Sequence, residues 1–199
     1  REIIADYVII TIPFTILRQV EMDIPDMPPE KMKVIRELGY GDNSKLIMGF
    51  SKRCWREEVQ ATGYLFNEAI QNGWDSSLMQ HENKGAGSYT VYVGAEKARA
   101  MAALSKDKER AVARSLPQME LIYPGSANAY NGNAIIANWP DQPFIQASYA
   151  AYKVNQWTTL SGKESTPVGR LYFAGEHCSV DFQGFMNGGA ETGKKAAMA

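Results

Sequence analysis

The strongest constraint on the fold lies near the end of the sequence, over residues 169–198. An apolar segment at 170–174 runs into a turn of small residues, and a glycine-opened segment rich in alanine follows at 188–198. This order predicts a strand that leads through a turn into the last helix. The first N–H groups of a helix lack acceptors within it and lie at the positive end of its dipole. The segment is therefore suited to hold an anionic or electron-rich ligand.

The composition is that of a folded globular protein, with 45% hydrophobic and 22% charged residues over 199 positions. This length suits one domain or parts of two. The formal net charge of −1 supplies no strong field for nucleic acid or an anionic membrane. No run of 18 apolar residues predicts a membrane span. The chain enters an apolar segment soon after Arg1, so we expect a piece of a longer protein that lacks its N-terminal targeting region. Cellular location stays open.

Apolar runs and turn residues alternate along the chain without a strict strand–helix rhythm. Strands are predicted at 5–12, 45–50, 63–66, 88–93, 119–123, 134–139 and 170–174. Helices are predicted at 14–20, 31–38, 95–104, from Ser105 as N-cap to a point before Pro117, and at 188–198. Turns or loops are predicted at 72–76 and 124–133. The pattern favours an α+β fold over a doubly wound sheet, with a buried strand at 5–12.

Several kinds of site are excluded by the residues that they would need. The two histidines, His81 and His177, do not form a pair at metal-ligand spacing, so no metal site is predicted. Neither a Gly-x-Ser-x-Gly elbow nor a Gly-x-x-x-x-Gly-Lys phosphate loop occurs. The Gly-x-Gly-x-x-Gly fingerprint of dinucleotide sites is also absent. The two cysteines, Cys54 and Cys178, predict structural thiols rather than a disulfide framework.

Short motifs follow one another along nearly the whole chain. In order they are D-x-V-I-x-T-x-P-x-x-x-L at 6–17, P-x-M-P-x-x-K at 25–31, L-G-Y-G at 38–41, F-x-x-x-x-W at 50–55, W-P-D at 139–141, S-Y at 148–149, R-x-Y-F-A-G-E at 170–176 and G-F-M-N-G-G-A at 184–190. Each motif alone is weakly specific. Together they resemble the C-terminal portion of the flavin-containing amine oxidases, the family of monoamine, polyamine and L-amino-acid oxidases.

The resemblance implies that two domains share this chain. Residues 1–13 would give one strand of an FAD-binding domain, and residues 167–199 its last strand and helix. Residues 14–166 would form a mixed-sheet substrate-binding domain. Because the dinucleotide fingerprint is absent, a missing N-terminal part or a companion chain is expected to complete the FAD site. Some relatives attach FAD through a cysteine, and none occurs between Trp139 and Ser161, so non-covalent FAD is expected.

Four residues of the final segment are expected to bind the cofactor, again by the resemblance. Gly175 would permit close approach of the backbone, and Glu176 would meet the ribityl or phosphate region of FAD. Gly184 precedes the last helix, and the N–H of Met186 would reach the pyrimidine edge of the flavin. A plain helix cap is the alternative role for Glu176.

Lys45 is the expected catalytic residue. In the family, the lysine at the matching position holds a water against flavin N5. An ammonium group there can orient the water and take part in proton transfer. A lysine at the head of a strand is otherwise usually solvated, so an exposed surface lysine is the alternative.

Three residues are expected to line the substrate pocket. Phe185 would form an aromatic wall beside the flavin, where many relatives carry Tyr or Trp; ordinary core packing is its alternative. Trp139 would lie along the benzenoid edge of the flavin, or serve as a buried strand aromatic. Ser148 would lie near the pocket, where Gln146-Ala147 replaces the glycine of the family pattern.

The implied reaction is oxidative deamination of a small molecule, with hydride transfer to flavin N5 and release of hydrogen peroxide. L-Amino acids are the first expected substrates and primary amines or polyamines the second. The isolated chain is expected to be inactive. Two alternatives stay open: a non-catalytic folded module, and a related flavin desaturase or porphyrinogen-type oxidase. A homo-oligomer is compatible with the sequence, which does not specify one.

Overall fold

A computed structural model describes residues 2–80 and 84–199, so His81 lies outside the described residues. The chain divides into two compact units. The first combines the residues up to Gly41 with Pro140–Ala199, and the second is Asp42–Trp139. The predicted domain boundaries after residues 13 and 166 concern a larger flavoprotein and stay a prediction.

The described residues form strands, helices and one 3₁₀ turn. The strands are β1 (Val8–Ile10), β2 (Asn43–Phe50), β3 (Leu65–Asn67), β4 (Gln71–Asp75), β5 (Gly87–Gly94), β6 (Tyr130–Asn138) and β7 (Leu171–Phe173). The helices are α1 (Phe14–Leu17), α2 (Pro29–Glu37), α3 (Cys54–Glu57), α4 (Ala95–Ala102), α5 (Lys108–Ile122), α6 (Ser126–Ala129), α7 (Gln156–Leu160) and α8 (Met186–Met198). The 3₁₀ turn is Glu176–Cys178.

The second unit is built on a five-stranded antiparallel sheet in the order β3-β4-β5-β2-β6. Successive side chains of a strand point to opposite faces. In β2, Leu46, Met48 and Phe50 are therefore all buried against the core, whereas the residues between them are half-buried. Trp55 anchors this core, with its ring 5.3 Å from that of Phe50. Lys45 consequently lies on the face of the sheet opposite the core.

The first unit contains a two-stranded parallel sheet, in which Val8 pairs with Leu171 and Ile10 with Phe173. Helix α2 contributes Val34 and Ile35 to the core beside it, and both are fully buried. Together, the two strands and the packed helices hold the turn that leads into α8.

Lys31 is a buried cation in the core of the first unit. Its ammonium group donates to the carbonyl oxygens of Lys163 and Glu164 at 3.3 and 2.5 Å and lies 3.5 Å from the centroid of Phe173. Burial lowers the pKa of Lys31 to about 8. The carbonyl groups and the aromatic face offset part of the cost of removing the charge from water.

The predicted α+β class is confirmed, and both cysteines are free and buried as expected. Two local predictions are wrong. Residues 72–76 were expected to form a turn, but Gln71–Asp75 is strand β4, because its backbone pairs on both sides with β3 and β5. The strand predicted at 5–12 is shorter and not buried: Val8 and Ile9 are 43% and 44% exposed, and β7 is its one partner among the described residues.

The region around Pro117 also differs from its prediction. Helix α5 continues through Pro117 to Ile122, so the strand predicted at 119–123 does not form. Ala111, Ser115 and Met119 are buried at helical spacing, and this stripe spans the proline. The N-cap is Asp107 rather than Ser105, and its carboxylate accepts from the N–H of Arg110 at 3.0 Å. Helix α6 and the start of β6 occupy the loop predicted at 124–133.

His177 generates a prediction about pH. Its ring is buried 4.5 Å from that of Phe14, and burial, with a smaller contribution from the charge of Lys31, lowers its pKa to about 4. The unfolded chain takes up a proton here near pH 6.5, whereas the folded chain does not until about pH 4. The unfolded state therefore binds more protons in this window, and the free energy of unfolding falls as pH falls.

We expect wild type to lose about 3 kcal/mol more stability than His177→Gln between pH 6.5 and 4. Denaturant unfolding of both proteins at steps of pH measures the difference, because carboxylates common to both cancel. Parallel pH profiles would show that His177 titrates normally in the folded protein.

Candidate functional site

The turn between β7 and α8 is fixed by glycine and threonine. Gly175 has φ of +144°, and a Cβ there would lie 2.5 Å from the ring of His177, so no side chain fits. Its N–H donates to Oγ1 of Thr192 at 2.9 Å, and that hydroxyl lies 2.7 Å from the carbonyl oxygen of Gly188. These contacts attach the turn to the first turns of α8 and fix where the helix begins.

Four side chains around the start of α8 are exposed although they are apolar or aromatic. They are Tyr149, Phe182, Phe185 and Met186, with exposed fractions of 47%, 46%, 67% and 92%. We call these residues the α8 patch. The backbone N–H of Met186 meets no acceptor among the residues that the structure describes. Phe185 therefore does not pack into a core, and the patch offers an apolar surface next to a helix N-terminus.

Tyr149 is a site residue that the sequence interpretation missed. Gly184 has φ of +85°, and a Cβ on it would lie 2.7 Å from Cδ2 of Tyr149, so the tyrosine ring packs directly on the glycine that precedes Phe185. The N–H of Gly41 donates to the carbonyl of Tyr149 at 2.8 Å, and the N–H of Ser148 donates to the carbonyl of Gly41 at 2.9 Å. The Ser-Tyr pair of the motif was the available signal, but only its serine was considered.

Glu176 uses its carboxylate to join two segments of the first unit. Oε1 accepts from the N–H of Ala150 at 3.0 Å, and Oε2 accepts from the N–H of Gly184 at 2.6 Å. It does not cap α8, which begins at Met186. The structure therefore brings Ser148, Gly175, Glu176, Gly184, Phe185 and Met186 together around one turn.

Lys45 lies beside two aromatic rings on the outer face of the five-stranded sheet. Its ammonium group is 5.8 Å from the ring centroid of Tyr92 and 6.0 Å from that of Trp74. The two rings are 5.7 Å apart. Lys45 is half-buried, so it differs from the fully solvated lysine that was the alternative. The sequence interpretation missed Trp74 because residues 72–76 were expected to form a turn.

Trp139 directly follows β6, the strand that pairs with β2 in the register Lys45 to Ala137. It is 39% exposed, so the alternative of a buried strand aromatic is wrong. Trp139 and Lys45 both belong to the second unit, whereas the residues around α8 belong to the first.

Two kinds of feature are absent from the described residues. No cluster of three or more His, Cys, Asp or Glu side chains there could hold a metal ion. No helix in the same part of the chain is long and apolar enough to cross a membrane.

Known proteins resemble this chain over nearly its whole length. An amine oxidase [flavin-containing] of Danio rerio is 27% identical over 97% of this chain and 37% of its own length. A putative L-amino-acid oxidase, YobN of Bacillus subtilis (strain 168), is 27% identical over 97% of this chain and 40% of its own length. The chain thus spans about two fifths of the length of these relatives.

The fold is shared with solved oxidases. The structure of putrescine oxidase bound to putrescine superimposes with a TM-score of 0.83 at 21% identity, over 98% of this chain and 42% of that one. The family described as flavin containing amine oxidoreductase matches residues 1–199, the whole sequence. The chain therefore belongs to the flavin-containing amine oxidoreductase family.

Proposed function

We propose that the chain is the C-terminal part of an FAD-dependent oxidase that deaminates amines or L-amino acids. The observation that carries the proposal is the α8 patch, an exposed aromatic surface at a helix N-terminus whose Met186 N–H meets no acceptor among the described residues. A match to the family over the full length of the chain supports it. The curated relatives include an amine oxidase and a putative L-amino-acid oxidase, so both substrate classes are candidates.

The residues around α8 fit one end of a flavin. The ring system of a flavin is planar and carries carbonyl oxygens, so it matches an aromatic surface beside a helix N-terminal N–H group. Gly175 and Gly184 shape the turn before α8, because the rings of His177 and Tyr149 occupy the space where their side chains would lie. We assign these two glycines and the Met186 N–H to the flavin end of the site. Glu176 supports this turn, since its two carboxylate oxygens accept from the N–H groups of Ala150 and Gly184. The Gly-x-Gly-x-x-Gly element is absent from the sequence, so a preceding segment or companion chain supplies the phosphate contacts. Binding is non-covalent in this proposal.

When bound, FAD would supply a two-electron acceptor for the substrate hydride, with dioxygen as the final oxidant and hydrogen peroxide as its product. The chain contributes positioning and exclusion of water. Phe185 and Tyr149 provide aromatic walls for the neutral amine, and Ser148 lies beside the tyrosine. Trp139 lines the flavin in the same proposal.

Lys45 is assigned the proton and water chemistry. Its ammonium group can donate to a water molecule and so hold it at the reacting atom. The neighbouring rings of Trp74 and Tyr92 limit the orientations that the side chain can adopt.

The whole protein tests the function directly. Together with its N-terminal part, the chain should be yellow, and denaturation should release its FAD because the attachment is non-covalent. A panel of L-amino acids, monoamines and polyamines should reduce the flavin and yield peroxide with one class. The isolated chain is the control and should give no peroxide. A complete protein that binds no FAD would rule out the oxidase.

Lys45→Met should slow flavin reduction or reoxidation about 100-fold while bound FAD is unchanged, since positioned proton transfer contributes on this scale. Stopped-flow absorbance of the flavin separates the two half-reactions. Lys52→Met is the matched control, because this exposed lysine pairs with Glu58 and should leave both rates unchanged. Equal rates in the two variants would show that Lys45 takes no part in the reaction.

Phe185→Ala should raise KM for the best substrate about tenfold, because one aromatic wall contributes roughly this much to binding. Phe185→Tyr keeps the ring and should stay within a factor of about two. Phe144→Ala, at an 80% exposed position of the same unit, is the control. Steady-state kinetics at matched FAD content show whether Phe185 contacts the substrate. Identical KM values in all variants would contradict this assignment.

A further inference from the structure

Backbone hydrogen bonds hold the turn that carries Glu176. The N–H of Cys178 donates to the carbonyl of Gly175 at 3.0 Å, and the N–H of Ser179 donates to that of Glu176 at 3.1 Å. Thr192 holds the N–H of Gly175 from the side of α8. The backbone that carries Glu176 is therefore held at several points.

The two carboxylate oxygens reach segments that are distant in the sequence. Ala150, which donates to Oε1 at 3.0 Å, directly follows Tyr149. Gly184, which donates to Oε2 at 2.6 Å, directly precedes Phe185. Hydrogen bonds to an ionised acceptor are shorter and stronger than those between neutral groups. One carboxylate thus ties together the backbones that carry the two aromatic residues.

Further contacts show that the joined segments are closely packed. The ring of Tyr149 lies on Gly184, where a Cβ would come within 2.7 Å of it. On its other side, the Tyr149 segment is paired with the backbone of Gly39 and Gly41: the N–H of Ala151 donates to the carbonyl of Gly39 at 3.0 Å. The tyrosine segment is therefore supported from one side by main chain and from the other by Glu176.

We propose that Glu176 is a positioning residue whose carboxylate sets the spacing between Tyr149 and Phe185, and with it the width of the slot that receives the substrate amine. The role in substrate binding rests on the proposed oxidase function. The two hydrogen bonds of Glu176 are a property of this chain and do not depend on that function. It gives the Glu176 side chain a role toward the protein rather than toward the ribityl or phosphate region of FAD.

Glu176→Gln in the complete FAD-loaded protein tests the bridge. The glutamine oxygen can accept one N–H, but its NH₂ group faces the other donor, so one bond is lost. Glu176→Asp keeps the charge and shortens the reach. If spacing matters, both variants should keep FAD and lose kcat/KM about 100-fold, the scale of a misplaced substrate. If charge alone matters, Glu176→Asp should retain wild-type kinetics.

Glu120→Gln is the matched control. Its carboxylate also accepts two backbone N–H groups, from Gly125 at 2.9 Å and Ala127 at 2.7 Å, but it lies in the second unit. Glu120→Gln should leave kcat/KM unchanged. This control shows whether a kinetic loss is specific to the Glu176 bridge or follows from removing any carboxylate that accepts two backbone N–H groups.

Hydrogen exchange gives a readout independent of turnover. The amides of Ala150 and Gly184 should be protected in wild type and should exchange at least tenfold faster in Glu176→Gln, by mass spectrometry at single-residue resolution. Unchanged exchange in the variant overturns the proposal, and so does loss of FAD with unchanged amides. Rapid exchange of both amides in wild type overturns it without any variant. An inactive wild type counts against the oxidase function, and the exchange data still decide the bridge.

Discussion

The hydroxyl of Thr192 holds together the part of the structure on which the candidate site depends. It accepts from the N–H of Gly175 and lies within hydrogen-bond distance of the carbonyl of Gly188. Thr192 is itself buried, so these bonds form away from competing water. The end of β7, the 3₁₀ turn and the first turns of α8 consequently behave as one piece. The exposed aromatic residues and the amide of Met186 take their positions from that piece.

A different constraint positions Lys45. The antiparallel pairing of β2 with β5 and of β5 with β4 places Lys45, Tyr92 and Trp74 on one face of the sheet. The opposite face is closed by the core around Trp55, since alternate residues of β2 are buried there. A one-residue slip in the pairing would exchange the two faces and bury the ammonium group. The apolar core therefore specifies the orientation of the lysine.

Local patterns predicted much of this structure. The apolar runs at 45–50 and 88–93 became β2 and β5, and the alanine-rich end became α8. Predictions failed where long-range packing outweighed local preference. Asn72-Gly73 is turn chemistry in isolation, yet in β4 it hydrogen-bonds to strands on both sides. Proline usually ends or kinks a helix. Helix α5 nevertheless continues through Pro117, because Ala111, Ser115 and Met119 are buried along one stripe.

The order of motifs in the sequence was enough to predict the family and the α+β class, because both depend on residue types and spacing along the chain. It also singled out Lys45, Glu176 and Phe185. Their neighbours could not be read from it. Tyr149 packs on Gly184, thirty-five positions away, and Glu176 binds an amide on each of their segments. Such pairs form only when the backbone folds back on itself, since nothing in local spacing brings distant amides to one carboxylate.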